Sequence, residues 1–443
     1  MAHLSVPWRP RSRRSLLLGG AAAALVALAG LTAALFFGLR ESTPADSLET
    51  TLADVTVIPP EPPPTPKPRA PTPKPRPKPK PKPPPAAPVD RRCWKMFGGG
   101  PTRSLARLEI HLGIPKRPPL WARGLKGYVE YPPSYCDGML YVNTTRGDTW
   151  AIHADSGKVL WRRKSRARKP STPAIAGPYV IVAAKDGTVT ALDRRNGRRA
   201  WQVRTGAIVE SSPAVEKGVV YFGNTRGRLF AVSARNGRIR WVYNTGGRIN
   251  SSPALANGHV FVTTYAGSIF SLRARDGRKR WRTYVRRDFL RRESFYASPS
   301  TDGARVYTIA RSGRVVTLSA RTGKVLWSRR VNTLGYSTPA IGRDRIFVGD
   351  FKGQLRAYRK LGGKEIWRAR VGRGRILGAP FVVGNLVFFA TLEQKAYAAR
   401  VSDGRIVWTI SIGKYSPGIA TERAYYFTLN GILVAFRGRY SPE

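Results

Sequence analysis

Eight tryptophans, Trp121, Trp161, Trp201, Trp241, Trp281, Trp327, Trp367 and Trp408, stand 40, 40, 40, 40, 46, 40 and 41 residues apart. A period near forty restricts the chain to repeated supersecondary units, each too small to bury its apolar face without its neighbours. Within each unit the order is fixed. A Ser-Pro or Thr-Pro element comes first, as in "SSPAV" at 211 and "STPAI" at 337, followed by a β-rich run such as "VVYFG" at 219. A glycine turn, a second apolar run such as "RLFAVSA" at 228, and an Asn/Asp/Thr-Gly turn then lead to the tryptophan. Four short strands per repeat follow from this punctuation.

Gly157, Gly197, Gly237, Gly277, Gly323, Gly363 and Gly404 each sit four residues before a tryptophan, where a left-handed residue closes a tight hairpin. Each indole is expected to wedge between neighbouring sheets. Trp121 has no such turn before it, and the last unit, "RAYYFTLNGILVAFRG", stops after its third strand. A strand missing at one end and spare at the other predicts ring closure, with the segment around Trp121 completing the final sheet. The expected fold is all-β: an eight-bladed β-propeller of four-stranded antiparallel blades over residues 91–443. An open solenoid is the alternative.

The N-terminal segment is organised differently. Arg9, Arg11, Arg13 and Arg14 lie in a basic stretch over residues 1–14, ahead of 25 uncharged residues, 15–39. About 20 apolar residues span a bilayer, so 15–39 is expected to be a signal anchor with its basic flank in the cytoplasm and the propeller outside the cell membrane. A cleaved twin-arginine signal, with secretion, is the alternative. Residues 40–90 form a Pro/Lys-rich linker. Between 59 and 88, 17 of 30 residues are proline, which excludes hydrogen-bonded structure and predicts a disordered but extended spacer. Cys93 and Cys136 are the only cysteines, and outside the membrane an even count suggests a disulfide, two free thiols being the alternative.

"STPAIAGPYVIVAAKDGTVTALDRRNGRRAW" and "SSPAVEKGVVYFGNTRGRLFAVSARNGRIRW" resemble the pyrroloquinoline-quinone (PQQ) type propeller repeat, and "WKMFGGGPTRS" from 94 resembles the segment that often precedes its first blade. The likeness covers residues 93–437. It implies the propeller fold and leaves function open, since that family holds quinone-dependent dehydrogenases as well as non-catalytic propellers of outer-membrane assembly. The enzymes resemble one another in an adjacent cysteine pair over the quinone and in a calcium held by oxygen ligands. Here the cysteines are 43 positions apart, and Asp148, Asp186, Asp350 and Glu393 are scattered over different repeats. His3, His111, His153 and His259 form no metal spacing, and neither a nucleophile elbow nor a phosphate loop is present. No catalytic residue or metal site is therefore assigned and no cofactor expected. An exported oxidoreductase using PQQ with calcium is the alternative to a non-catalytic scaffold.

Lys and Arg number 77 against 26 Asp and Glu, a formal charge of +51. A field of that sign attracts polyanions, although codon bias alone would also raise it. One stretch departs from the metric. Trp281 to Pro299 spans 18 residues where Trp161 to Pro173, Trp201 to Pro213, Trp241 to Pro253 and Trp327 to Pro339 span 12, and it reads "RTYVRRDFLRRESFYASP". Arg286, Arg287, Phe289, Arg291, Arg292, Phe295 and Tyr296 are expected to form a basic, aromatic arm on the face carrying the second-to-third strand turns. The basic run "RRKSRARK" at 162 should open there too. The expected partners are an envelope protein, acidic wall polymer or anionic lipid, since an exported domain rarely meets nucleic acid. A solvated loop is the alternative.

Overall fold

In each repeat the Ser/Thr-Pro element leads into a short innermost strand, and the next three strands step outward to the tryptophan. Repeat three shows the pattern in Ala214–Glu216, Val219–Gly223, Arg228–Ser233 and Ile239–Asn244. All pairings within it are antiparallel, with Tyr221 opposite Ala231 and Ala231 opposite Trp241. The register slips by one residue just beyond the tryptophan's partner, a bulge shared by the first seven blades. The computed structural model describes Val57–Ile58 and residues 93–440, apart from 373, 394, 412–417 and 429. Eight sheets are present among them, and the fold is an eight-bladed propeller.

The expected closure is found. Trp121–Gly124 pairs with the last strand, Ile432–Tyr440, placing Trp121 opposite Ala435 as the outer strand of blade eight. Leu112–Pro115 pairs with the far end of the same strand. Val57–Ile58 lies antiparallel to the outer strand of blade two. The remainder of the segments read as a basic tail, anchor and linker, 1–14, 15–39 and 40–90, falls outside the described residues. Among the described residues no helix is long and apolar enough to cross a membrane.

Two devices join neighbouring blades. On the outside, each indole from Trp121 to Trp367 donates Nε1–H to a carbonyl in the next blade, as Trp201 does to Ala234 at 2.9 Å and Trp241 to Ala274 at 2.9 Å. The same ring lies under the hairpin glycine of that blade. A Cβ on Gly237 would come within 2.8 Å of Trp201, and the glycine's φ is +73°. Trp408 faces the closing blade, which lacks that hairpin, and stacks on Phe427 instead. Nearer the axis, the residue before the motif proline links blades two to five in a belt: Ser212 Oγ accepts from Thr172 N–H, Ser252 Oγ from Ser212 N–H, and Ser298 Oγ from Ser252 N–H.

The segment read as merely preceding the first blade runs along the channel. Lys95, Pro101, Thr102, Ser104 and Leu105 carbonyls accept N–H bonds from Ile175, Leu255, Thr301, Ile341 and Val382, all on innermost strands. Trp94 bridges Tyr135 in blade one, and Ala106–Arg107 lies parallel to the innermost strand of blade seven. Arg103 is fully buried at its centre. Its guanidinium donates to Phe97 O at 2.6 Å, to Ser212 O at 2.8 Å and to Pro253 O. Cys93 and Cys136 form a disulfide that ties the start of this plug to the end of the innermost strand of blade one.

Candidate functional site

Antiparallel order puts the blade-to-blade connections and the second-to-third strand turns on one face, and the hydrogen bonding makes them a single layer. In seven blades a residue of the incoming connection offers its carbonyl to the turn of the blade it enters. Tyr128, Arg168, Ile208, Arg248, Ser294, Leu334 and Arg375 accept from Thr145, Lys185, Thr225, Tyr265, Arg311, Phe351 and Leu392. Apolar residues and arginines alternate around these seats except at Ser294. Tyr128, Arg168, Ile208, Arg248, Leu334 and Arg375 are exposed. A rim of interleaved apolar and cationic side chains results.

Ser294 is the seat that follows the long connection, so the extra residues loop out ahead of it. Arg286 and Arg292 bridge the base of the loop. At its bend Asp288 accepts the amides of Leu290 and Arg291, at 3.0 and 2.8 Å. Those amides and the neighbouring arginines hold the Asp288 carboxyl below its ordinary range. Phe289 and Leu290 at the tip are 86% and 87% exposed, more than any other large apolar residue described. Arg282 and Arg292 clasp the Tyr284 ring at 4.2 and 4.1 Å.

The arm expected from the sequence is therefore corrected at its C-terminal end. Arg286, Arg287, Phe289, Arg291 and Arg292 project, whereas Phe295 is fully buried in the core beside Val285 and Trp281. Tyr296 is drawn inward, its ring 5.8 Å from that of Tyr336. The reason is the seat at Ser294: once it bonds to the turn, the chain has rejoined the repeat. Leu290, overlooked in the sequence, belongs to the arm.

Inside the rim, residues just ahead of the Ser/Thr-Pro elements gather at the channel mouth. Burial pushes the Tyr296 phenol well above its ordinary pKa, and Tyr131, Glu210 and Glu130 reinforce the shift. Glu210 pairs with Lys185 at 3.1 Å and accepts from Asn250. Arg311 donates to Tyr265 and Tyr336 hydroxyls at 2.8 and 3.2 Å. A cavity of about 560 Å³ between arm and blade is lined by Arg287, Arg292, Arg311 and Leu334. Of these residues only Tyr296, Arg287 and Arg292 were picked out from sequence, although for Glu130, Tyr131, Glu210, Asn250 and Tyr336 the position just ahead of the proline element was a usable signal.

The acids near the turns serve the turns. Asp148 holds Arg162 at 2.6 Å; Asp350 accepts two amides and Arg356; Asp186 bonds Thr188; Glu393 holds Arg375. A calcium site needs such oxygens to converge, and each of these is tied within its own blade or connection. The two sulfurs are bonded to each other at the opposite end of the innermost strand, away from this mouth. This donor set does not fit a quinone with calcium. The only group of potential metal ligands among the described residues, Cys93, Cys136 and Asp137, has its sulfurs consumed by the disulfide.

Comparison with known proteins agrees with the repeat reading. The model of a family described as the outer membrane protein assembly factor BamB matches residues 91–252, 185–337 and 244–439. The BamB of Nitrosomonas eutropha is 28% identical over 113 residues, 25% of this chain and 27% of that protein. The BamB of Pseudomonas aeruginosa is 26% identical over 138 residues, 30% of this chain and 36% of that protein. The matches thus span between a quarter and two-fifths of these relatives. Among solved structures, the quinohemoprotein alcohol dehydrogenase of Comamonas testosteroni superposes with a TM-score of 0.65 at 14% identity, over 81% of this chain and 82% of that one. That likeness concerns the fold.

Proposed function

Since this chain belongs to the PQQ-repeat family described as outer membrane protein assembly factor BamB, we propose that it is a non-catalytic binding scaffold of the cell envelope. The rim of blade-to-blade connections is its working face. In this reading residues 15–39 anchor the chain in the cell membrane, 40–90 space it outward, and the propeller works outside the membrane. The observation that carries the reading is the division of labour on that face. Acids are consumed in holding turns, while the exposed side chains are apolar residues and arginines, the types that make contacts rather than perform proton chemistry.

The test is capture from solubilised envelopes with the full-length protein, eluted along a salt gradient, beside a variant carrying Arg286→Ser, Arg287→Ser, Arg291→Ser and Arg292→Ser. Wild type is expected to retain material that the variant releases at lower salt. Identical elution from both, or saturable PQQ and calcium binding with dye reduction, would overturn the reading.

A further inference from the structure

We infer that the rim docks the propeller on an anionic lipid surface, with the Phe289–Leu290 tip entering the boundary between headgroups and acyl chains. The inference rests on the scaffold reading and names what its face meets. Three observations carry it. The tip pair is almost wholly exposed, two adjacent apolar side chains at the bend of the long connection. Arginines flank it on both sides, at 286, 287, 291 and 292, all exposed. Around the rest of the rim Tyr128, Ile208 and Leu334 alternate with Arg168, Arg248 and Arg375, spread over a ring rather than gathered at a centre.

A bilayer surface asks for that distribution. Its phosphates lie in a plane and accept from many guanidinium groups at once, while aromatic and aliphatic side chains sink a few ångströms below them. The tip is shaped for it. Asp288, the one acid between Arg286 and Arg292, fixes the bend by accepting its backbone amides, and four guanidinium groups against one carboxylate leave the tip net positive. Arg286 folds one guanidinium nitrogen onto the Phe289 carbonyl at 3.1 Å, which covers a backbone acceptor at the tip. Tyr284, clasped between Arg282 and Arg292, adds an aromatic ring at the base of the loop. The charge of the whole chain, +51, draws the domain toward such a surface before any contact forms.

The disulfide leaves no free thiol among the cysteines, so a single introduced cysteine can be labelled selectively. Full-length protein with a nitroxide on Leu290→Cys is mixed with vesicles of phosphatidylglycerol or of phosphatidylcholine. Collision rates with oxygen and with a water-soluble nickel chelate are then compared. The control is Leu361→Cys, at an exposed residue on the third-to-fourth strand turn of the opposite face. On phosphatidylglycerol the label at 290 is expected to gain oxygen collisions and lose nickel collisions several-fold. The label at 361 stays in water on both lipids, and the four arginine-to-serine changes abolish the difference at 290. A label at 290 that stays in water on phosphatidylglycerol overturns the inference. If that label is shielded only when envelope proteins are added, the face binds a protein, which overturns the lipid and leaves the scaffold standing.

Discussion

The outer seam and the inner plug close the same ring by opposite means. At the seam, an indole and a glycine repeat from blade to blade with nearly one geometry, seven indole-to-carbonyl bonds between 2.8 and 2.9 Å. At the plug, one non-repeating stretch meets six blades through backbone hydrogen bonds, and a single arginine reaches carbonyls of blades three and four. The seam spreads its stabilisation over many equivalent contacts, so one lost contact costs one share. The plug concentrates it. Arg103 is a buried cation whose removal strands several carbonyls at once, whereas any seam tryptophan has counterparts elsewhere in the ring.

The sharpest test of that contrast is Arg103→Met. Burial pulls the Arg103 guanidinium down to about 9, still protonated at neutral pH, and it donates to three carbonyls. Losing it should cost about 4 kcal/mol in urea unfolding, as breaking a buried charged network does. A seam-sized loss instead would remove the distinction. Next is Gly237→Ala beside Gly218→Ala. Both glycines have φ +73°, but only Gly237 lies on an indole, Gly218 having open space where a Cβ would be. The first should cost about 3 kcal/mol and the second about 1, since left-handed strain alone is worth about 1–2. Equal losses would mean that the indole yields.

Lys169 lies between the two regions, on the basic connection into blade two. Burial pulls its ammonium down to about 8, and it donates to Thr149 Oγ1 at 3.0 Å. A cation whose pKa falls on folding is held less well by the native state, so between pH 8 and the ordinary lysine value the unfolded chain binds more protons. Stability should therefore rise as pH climbs through that window. Lys169→Met should abolish the rise and stabilise the fold at pH 7 by about 1–2 kcal/mol. A flat wild-type profile would place the ammonium in water. The smallest effect expected is that of Ser252→Ala in the inner belt, about 1 kcal/mol for one neutral hydrogen bond.

Repetition decides what the sequence discloses. The glycine turn before each tryptophan and the wedging of each indole between sheets could be read from spacing because they recur, and the strand missing before Trp121 announced its own partner. The plug is silent in the sequence, because most of its partners are backbone groups that any residue supplies. Arg103 is one basic residue among 77, and positive φ at Arg103 and Leu105 leaves no compositional trace. The arm stands between these cases. Its extra length was legible, but the point of re-entry is fixed by backbone bonds at Glu293, Ser294 and Phe295 to Val285, Arg311 and Thr264. Phe295 was therefore assigned to the surface although it belongs to the core.

The account turns on which face of the ring works. A photocrosslinking residue placed at Leu290, and separately at Leu361, in the full-length chain within intact envelopes reads this directly. The account predicts strong adducts, to lipid or protein, from 290 and background from 361. Equal labelling from both faces, or adducts from 361 alone, would contradict it.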